Sequence, residues 1–389
     1  MIPPAITPFS LSVLRTAWRR RHDPPPEDLL LCGSGAEALF HLLSFLRETR
    51  GCRRLLLSPF NCGSVWDAVT AAGITPVLVD FSGPGFALDV AALRRQARPG
   101  PAGDAVLFTH LFGFSPGYAE VVACCREQGL VLVEDGAHLM PDWPRSGACR
   151  GDAAIFSFGL SKALNLGGGG ACWLREEWRG AFNRHLAALP QIAAGLAPTL
   201  AGLARARAKT HPGLLAVATA CRLTKWEQGG GGAFRKTPSH RRRFGAVTWM
   251  HPLQRQLLAV LLGDVAPQLR QLRRDVFAAG QAALAAVPGV QVIGDPAELL
   301  ADNAPVRIPV AVAPERRAAV LAALRQRGLW ASPWITRLLG GADVAADVCP
   351  QAARLLERFI SLPTGFTRAE LPRLGAAFDQ QVLCVRKTV

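Results

Sequence analysis

Acidic residues are in short supply in this chain: 29 Asp and Glu stand against 44 Lys and Arg, leaving a formal net charge of +15. Such an excess favours an anionic partner, whether a phosphorylated small molecule, nucleic acid or an anionic lipid surface. Zinc-finger spacing and the aromatic signature of RNA-binding modules are both missing. The arginine runs Arg19-Arg20-Arg21 and Arg241-Arg242-Arg243 read as solvated faces, so nucleic acid is not an expected partner. No C-x-x-C pair occurs among the ten cysteines, and Cys124-Cys125 lies in a stretch patterned as helix. Neither a disulfide scaffold nor a metal site is expected, and the thiols suggest a reducing compartment. The N-terminus carries its apolar residues before its charges, the reverse of a secretory signal, so the expected location is the cytoplasm.

A strongly apolar block is also missing, although half the residues are hydrophobic. The nearest approach is 186–204, which has no formal charge and is long enough in principle to cross a bilayer. Pro190 and Pro198 interrupt it, and its Ala, Gly and Leu content predicts paired helices lying on the protein or on a membrane surface. At 389 residues the chain exceeds one hydrophobic core, which implies a large domain and a smaller one.

Short runs rich in Leu, Val and Ile at 54–58, 76–80, 105–110, 130–134, 153–158 and 171–174 read as strands buried on both faces. Helical patterns at 36–49, 64–72, 90–96 and 118–128 separate most of them. This alternation predicts an α/β fold with a mainly parallel sheet sandwiched by helices. Beyond residue 174 the pattern changes to long helices, with a loop expected at Gly229-Gly230-Gly231-Gly232. A helical stretch over 252–287 leads to a small α+β unit with strands at 290–293 and 306–312 and helices at 314–328 and 369–383.

Three motifs carry chemistry. Gly33-Ser34-Gly35-Ala36 ahead of an apolar helix can bind phosphate on free backbone N–H groups, or be a structural glycine turn. It matches the dinucleotide fingerprint, but the next strand ends in Ser58-Pro59 with no acid for a ribose. The apolar strand before Glu134-Asp135-Gly136-Ala137-His138 places carboxylates where open α/β sheets bind ligands. Asp135 there can pair with a protonated ring nitrogen, or cap a turn. Lys162 follows the next strand in Ser157-Phe158-Gly159-Leu160-Ser161-Lys162, where burial can make a lysine an amine nucleophile. Taken alone it reads as a surface residue; following Asp135 on the next strand, it reads as a functional one.

With these motifs in this order, residues 31–174 resemble the DegT-type (DegT/StrS) sugar aminotransferases, which are fold type I enzymes using pyridoxal 5'-phosphate (PLP). The resemblance includes Pro76-Val77-Leu78-Val79-Asp80, His110-Leu111-Phe112-Gly113 and Gly169-Gly170-Ala171, with weaker echoes at Met250, Leu253-Gln254 and Leu362-Pro363. It implies that Lys162 is the Schiff-base lysine and proton shuttle, Asp135 the pyridinium partner and His138 a neighbour of the cofactor. It also implies phosphate contacts from Ser157 and from the amides of Gly35 and Ala36. Cys62 falls where the family has a ring-stacking aromatic. The implied activity moves an amino group from an amino-acid donor to a keto-sugar or similar carbonyl acceptor, in a homodimer.

The resemblance further implies an N-terminal arm over 1–30, a PLP-binding domain over 31–250 with a helical insertion at about 185–240, and a linking helix with small domain over 251–389. Four departures stand out. Ala36 replaces a usual Thr and Glu37 adds negative charge beside the phosphate turn; Cys62 replaces an aromatic; Gly159 replaces a His or Tyr; Val247 and Trp249 replace the Asn and Arg that reach across the dimer. Two alternatives follow: an acyl-transferring α-oxoamine synthase, suggested by Asp135-x-x-His138 and Ser161-Lys162-Ala163, and a non-catalytic binding or regulatory descendant.

Overall fold

The computed structural model describes residues 11–20, 28–98, 100, 103–141, 149–210, 244–285, 287–300, 303–326, 328–333, 338–339 and 347–365. The helix expected at 369–383 and the glycine run 229–232 lie outside these residues.

The strands are β1 (Leu30–Cys32), β2 (Arg54–Leu57), β3 (Thr75–Leu78), β4 (Ala105–Thr109), β5 (Val131–Asp135), β6 (Ala153–Ser157), β7 (Gly170–Leu174), β8 (Gln191–Ala193) and β9 (Val247–Trp249). They form one sheet in the order β3-β2-β4-β5-β6-β7-β1-β9-β8. From β3 through β6 every pairing is parallel, whereas β7 and β1 run antiparallel to their neighbours. The fold is therefore α/β with a mainly parallel sheet, as the alternation predicts. Its helices are α1 (Leu11–Arg19), α2 (Gly35–Arg50), α3 (Gly63–Ala71), α4 (Val90–Gln96), α5 (Tyr118–Gln128), α6 (Glu176–Ala187) and α7 (Leu196–Thr210).

Local chemistry sets the helix ends. Ser34 caps α2, its hydroxyl accepting from the Glu37 N–H, and Gly51 closes that helix in the left-handed conformation (φ 67°). Leu55, Leu56 and Leu57 on β2 are wholly buried, as a strand covered on both faces requires.

The uncharged stretch 186–204 differs from the expectation of paired helices. It contains the end of α6, then β8 pairing parallel with β9, then α7. A tertiary pairing across the sheet edge overrides the local Ala and Leu content. A Cβ on Gly167 (φ 72°) would lie 2.2 Å from the Gly202 carbonyl, so α7 sits directly on the turn after Lys162. No helix among the described residues is long and apolar enough to cross a membrane.

Helix α8 (Pro252–Val260) runs through a π turn, Leu261–Val265, into α9 (Ala266–Ala285). Beyond it β10 (Val290–Val292), β11 (Ile308–Val312) and β12 (Phe359–Leu362) form an antiparallel sheet in the order β10-β11-β12, accompanied by α10 (Arg317–Gln326) and α11 (Pro350–Arg358). Two contacts fix this sheet to the first. Asp80 accepts from the N–H groups of Gln351 and Ala352 at the start of α11, both at 2.9 Å. Phe359 packs edge-on to Phe60 (5.4 Å) and stacks on Phe112 (5.4 Å), each aromatic pair adding roughly 0.5–1.5 kcal/mol beyond its burial.

Candidate active site

Strands β2, β4, β5 and β6 end along one edge, the edge at which open α/β sheets bind ligands. Asp135 is the last residue of β5 and Ser157 the last of β6. The adjacent acids at the end of β5 divide between the two faces of the sheet, as alternating side chains must. Glu134, fully buried, accepts from Gly151 N–H (2.6 Å) and Cys149 Sγ (3.2 Å) and lies 2.9 Å from His110 Nε2. It is consumed in holding the loop that precedes β6.

Asp135 turns the other way. Its Oδ1 accepts from Ala137 N–H (2.9 Å), and Oδ2 has no hydrogen bond from another described residue. Burial raises its pKa, against the opposing charge of Lys162, the Ala137 amide and His110. A buried carboxylate with an open oxygen suits a cationic ring nitrogen.

Lys162 Nζ lies 3.4 Å from His138 Nε2. The backbone N–H of Phe112 donates to His138 Nδ1 at 3.1 Å, and the Phe112 ring stacks on the imidazole at 5.6 Å with an 8° tilt. Because Nδ1 accepts, the hydrogen of the neutral ring sits on Nε2 and lies toward Lys162, whose nitrogen accepts it only as the uncharged amine. Burial holds the His138 pKa well below the ordinary 6.5, and the charges of Lys162 and Arg307 add to the effect.

This depressed pKa has a sign that can be measured. The unfolded chain takes up a proton at His138 near pH 6.5 while the native protein refuses it, so stability is full above that pH and declines below it. The loss is about 1.4 kcal/mol per pH unit at most. Melting temperatures recorded from pH 7 down to pH 5 are expected to fall less steeply for His138→Gln than for the natural protein; parallel slopes would contradict the assignment.

At the other end of the site, Gly35 and Ala36 open α2, so their N–H groups have no partner within the helix. The turn is pressed against neighbouring strands. A Cβ on Gly35 would meet Ser157 Cβ at 2.8 Å, and one on Gly170 would lie 2.2 Å from the Ser34 carbonyl carbon. Gly35, Ala36 and half-buried Ser157 are thus gathered into one corner. Glu37 does not repel an anion there: its carboxylate accepts from Thr248 N–H on β9 and lies 3.8 Å from His41 Nε2.

The donors present fit PLP: two helix-start amides and a hydroxyl for its phosphate, an amine for its aldehyde and a carboxylate for its ring nitrogen. Cys62 is the residue that the structure leaves apart. It is exposed at the N-cap of α3, where its sulfur accepts from Ser64 Oγ (3.2 Å), and no described contact joins it to Lys162, His138 or Asp135.

Phe112, Arg273 and Arg307 were not singled out for roles by sequence reasoning. Phe112 is the one described non-glycine residue with positive φ (57°), a strained conformation that aims its N–H at His138. Arg307 did leave a signal, a lone charge in the apolar run Val306-Arg307-Ile308-Pro309-Val310. Arg273 lies four residues from both Leu269 and Phe277 on the buried face of α9.

Comparison with known proteins agrees with this geometry. Residues 28–186 match the model of the DegT/DnrJ/EryC1/StrS aminotransferase family. The chain is 32% identical over 148 residues to a dTDP-4-dehydro-2,3,6-trideoxy-D-glucose 4-aminotransferase of Saccharopolyspora spinosa, covering 37% of each chain. It is 36% identical over 151 residues to GDP-perosamine synthase of Caulobacter vibrioides, covering 38% of this chain and 40% of the relative. The match to these curated relatives therefore spans well under half their length. Among solved structures, Helicobacter pylori PseC, an aminotransferase involved in pseudaminic acid biosynthesis, superposes with a TM-score of 0.70 at 13% identity, covering 99% of this chain and 100% of that one. Spr1654 of Streptococcus pneumoniae in its PLP form gives 0.69 at 15% identity, covering 99% of both chains. These similarities establish the fold over the whole length, while the family model matches residues 28–186, less than half of the chain.

Proposed function

We propose that this chain, whose residues 28–186 carry the DegT/DnrJ/EryC1/StrS aminotransferase sequence, is a PLP-dependent aminotransferase acting on a keto-sugar or similar carbonyl acceptor. The observation that carries the reading is Lys162 Nζ at 3.4 Å from the buried His138, on the same strand edge as the open carboxylate oxygen of Asp135.

PLP, when bound, supplies an electron-withdrawing ring that acidifies the α-carbon of the amino donor. The protein does the rest. Gly35 and Ala36 amides and the Ser157 hydroxyl would hold its phosphate, and Asp135 would keep its ring nitrogen protonated. Lys162 Nζ takes and returns the proton at the donor α-carbon, while neutral His138 directs its Nε2 hydrogen at that amine and so orients it.

Domain division near residue 250, a homodimer and a cytoplasmic location belong to the same reading. Gly202 commits the uncharged stretch to packing on Gly167, beside the turn that follows Lys162.

The test is an absorbance spectrum of the purified protein with PLP, before and after glutamate. A visible band that borohydride removes and that glutamate shifts is expected. Absence of the band, and no change with borohydride, would defeat the proposal.

A further inference from the structure

A cleft of about 380 Å³ opens on the edge of the large sheet opposite the candidate active site, where β5 and β6 begin. A five-residue strand spans roughly 15 Å, and that depth separates the cleft from Asp135 and Ser157. Arg50, Arg126, Arg150 and Arg175 line it, with Asp152 the one carboxylate among the lining residues. That carboxylate is already committed. Its Oδ1 accepts from Arg175 Nη1 at 2.6 Å and its Oδ2 from the Leu132 N–H at 2.9 Å. Arg50, Arg126 and Arg150, all exposed, form no ion pair with a described residue.

Two of the guanidiniums are held by one ring: Arg50 lies 4.7 Å and Arg175 5.9 Å from the centre of the buried Trp178 indole. Helix dipoles account for part of the gathering only. Arg50 and Arg126 stand in the last turns of α2 and α5, where a cation is favoured. Arg175 caps the N-terminus of α6, where the same effect disfavours one, and Arg150 is on no helix. The carbonyls at the end of α5 that would repel an anion are occupied: Cys125 accepts from the Leu130 N–H at 2.9 Å and Arg126 from the Gly129 N–H at 3.3 Å.

The lining narrows the chemistry of the ligand. Concave walls of one charge focus a positive field into the space between them, and guanidinium forks match the oxygens of phosphate. Trp178 is 7% exposed beneath Arg50 and Arg175, which leaves no aromatic face for a base. Burial pushes the Cys125 thiol up to about 12, so it is neutral and offers no nucleophile. The volume lies within the roughly 300–1,000 Å³ of small-molecule clefts and exceeds what one phosphate fills. An extended basic stripe would suit a nucleic-acid backbone, whereas a concavity bounded by four guanidiniums suits a compact polyanion.

We propose that this cleft is a second anion site, binding two or more linked phosphates of a small molecule on the sheet edge opposite Lys162. Arg126 and Arg150 grip the phosphate oxygens, and Arg50 and Arg175, fixed on Trp178, form the wall behind them.

Titration calorimetry of the full chain with inorganic triphosphate, pyrophosphate and orthophosphate tests this. Affinity is expected to fall about tenfold with each phosphate removed. Arg126→Gln and Arg150→Gln should each weaken pyrophosphate binding by about tenfold, with Arg150→Lys between, since it keeps the charge and loses the fork. Melting temperatures without ligand should hold, because neither side chain has a partner among the described residues. Should either Gln variant fail to fold, Arg150→Lys decides by the same criterion. Joint replacement Arg15→Gln and Arg354→Gln removes exposed charge outside the lining and should leave affinity within about twofold. Adenosine diphosphate binding within about threefold of pyrophosphate would make the phosphates alone the recognised group; tighter binding through the same arginines would assign a nucleotide as their source.

Absence of pyrophosphate binding, or unchanged affinity in both Gln variants, overturns the proposal. So does binding that saturating PLP abolishes, which would place the anion at the Gly35–Ser157 corner. An oligonucleotide held more tightly than triphosphate by the same arginines would overturn the small-molecule assignment. None of these outcomes turns on the aminotransferase reading, which the glutamate-dependent spectrum tests separately.

Discussion

Lys162→Ala is expected to reduce amino transfer by about 10⁴-fold or more, since it removes the amine to which the proposed function gives both cofactor attachment and proton movement. The borohydride-sensitive visible band should vanish with it. Folding should survive, because Lys162 is only half-buried and sits in an irregular turn. A second consequence separates loss of chemistry from general damage. The Lys162 charge presses the His138 pKa down and pulls the Asp135 pKa down. Its removal should let both rise, so His138 should titrate at a higher pH in an NMR titration of the variant. Activity within tenfold of the natural protein would refute the role given to Lys162.

Asp135→Asn should lower the rate by about 10²–10³-fold, the range found when one preorganised electrostatic partner is removed. The amide can still accept from the Ala137 N–H, so the turn after β5 keeps its hydrogen bond. Burial opposes ionisation of this carboxyl, so a neutral isostere should leave the cofactor-free protein as stable as before, or more so. Loss of rate with retained melting temperature is the signature to look for. If rate and stability fell together, Asp135 would be a turn-capping residue and no more.

Asp135 and Lys162 lie at or just past the ends of elements that the sequence already displays. Helices α4 and α5 occupy the residues that periodicity predicts, and β2, β4, β5 and β6 end within a residue of the predicted runs. These are long apolar patterns bounded by turns, where local preference and burial agree. The three-residue strands β1, β8 and β9 carry too few residues to show a period, and they exist through pairing with distant partners.

The site was legible where a motif lies on a single turn. Asp135, His138 and Lys162 come together because consecutive parallel strands end on one edge. What local sequence could not show was direction. Glu37, read as a charge beside the phosphate turn, is drawn away by an N–H more than two hundred residues along the chain. Cys62 falls at a family position but is exposed at a helix start, apart from the rest. Arg307 was visible as a charge in an apolar strand, yet only the packing of 306 against Phe112 places it near His138.

The same long-range tie bears on how the molecule is made. Gly33 N–H donates to the Thr248 carbonyl at 2.7 Å, Cys32 pairs with Trp249, and the Thr248 N–H is bound by Glu37. A growing polypeptide therefore has β2 to β7 in hand long before β1 and the glycine after it have their second neighbour. That neighbour waits for residue 249 to clear the ribosome, and until then β1 lies with one edge open. Completion of the sheet around β1 is set by arrival of this late segment, although the family match ends more than sixty residues earlier.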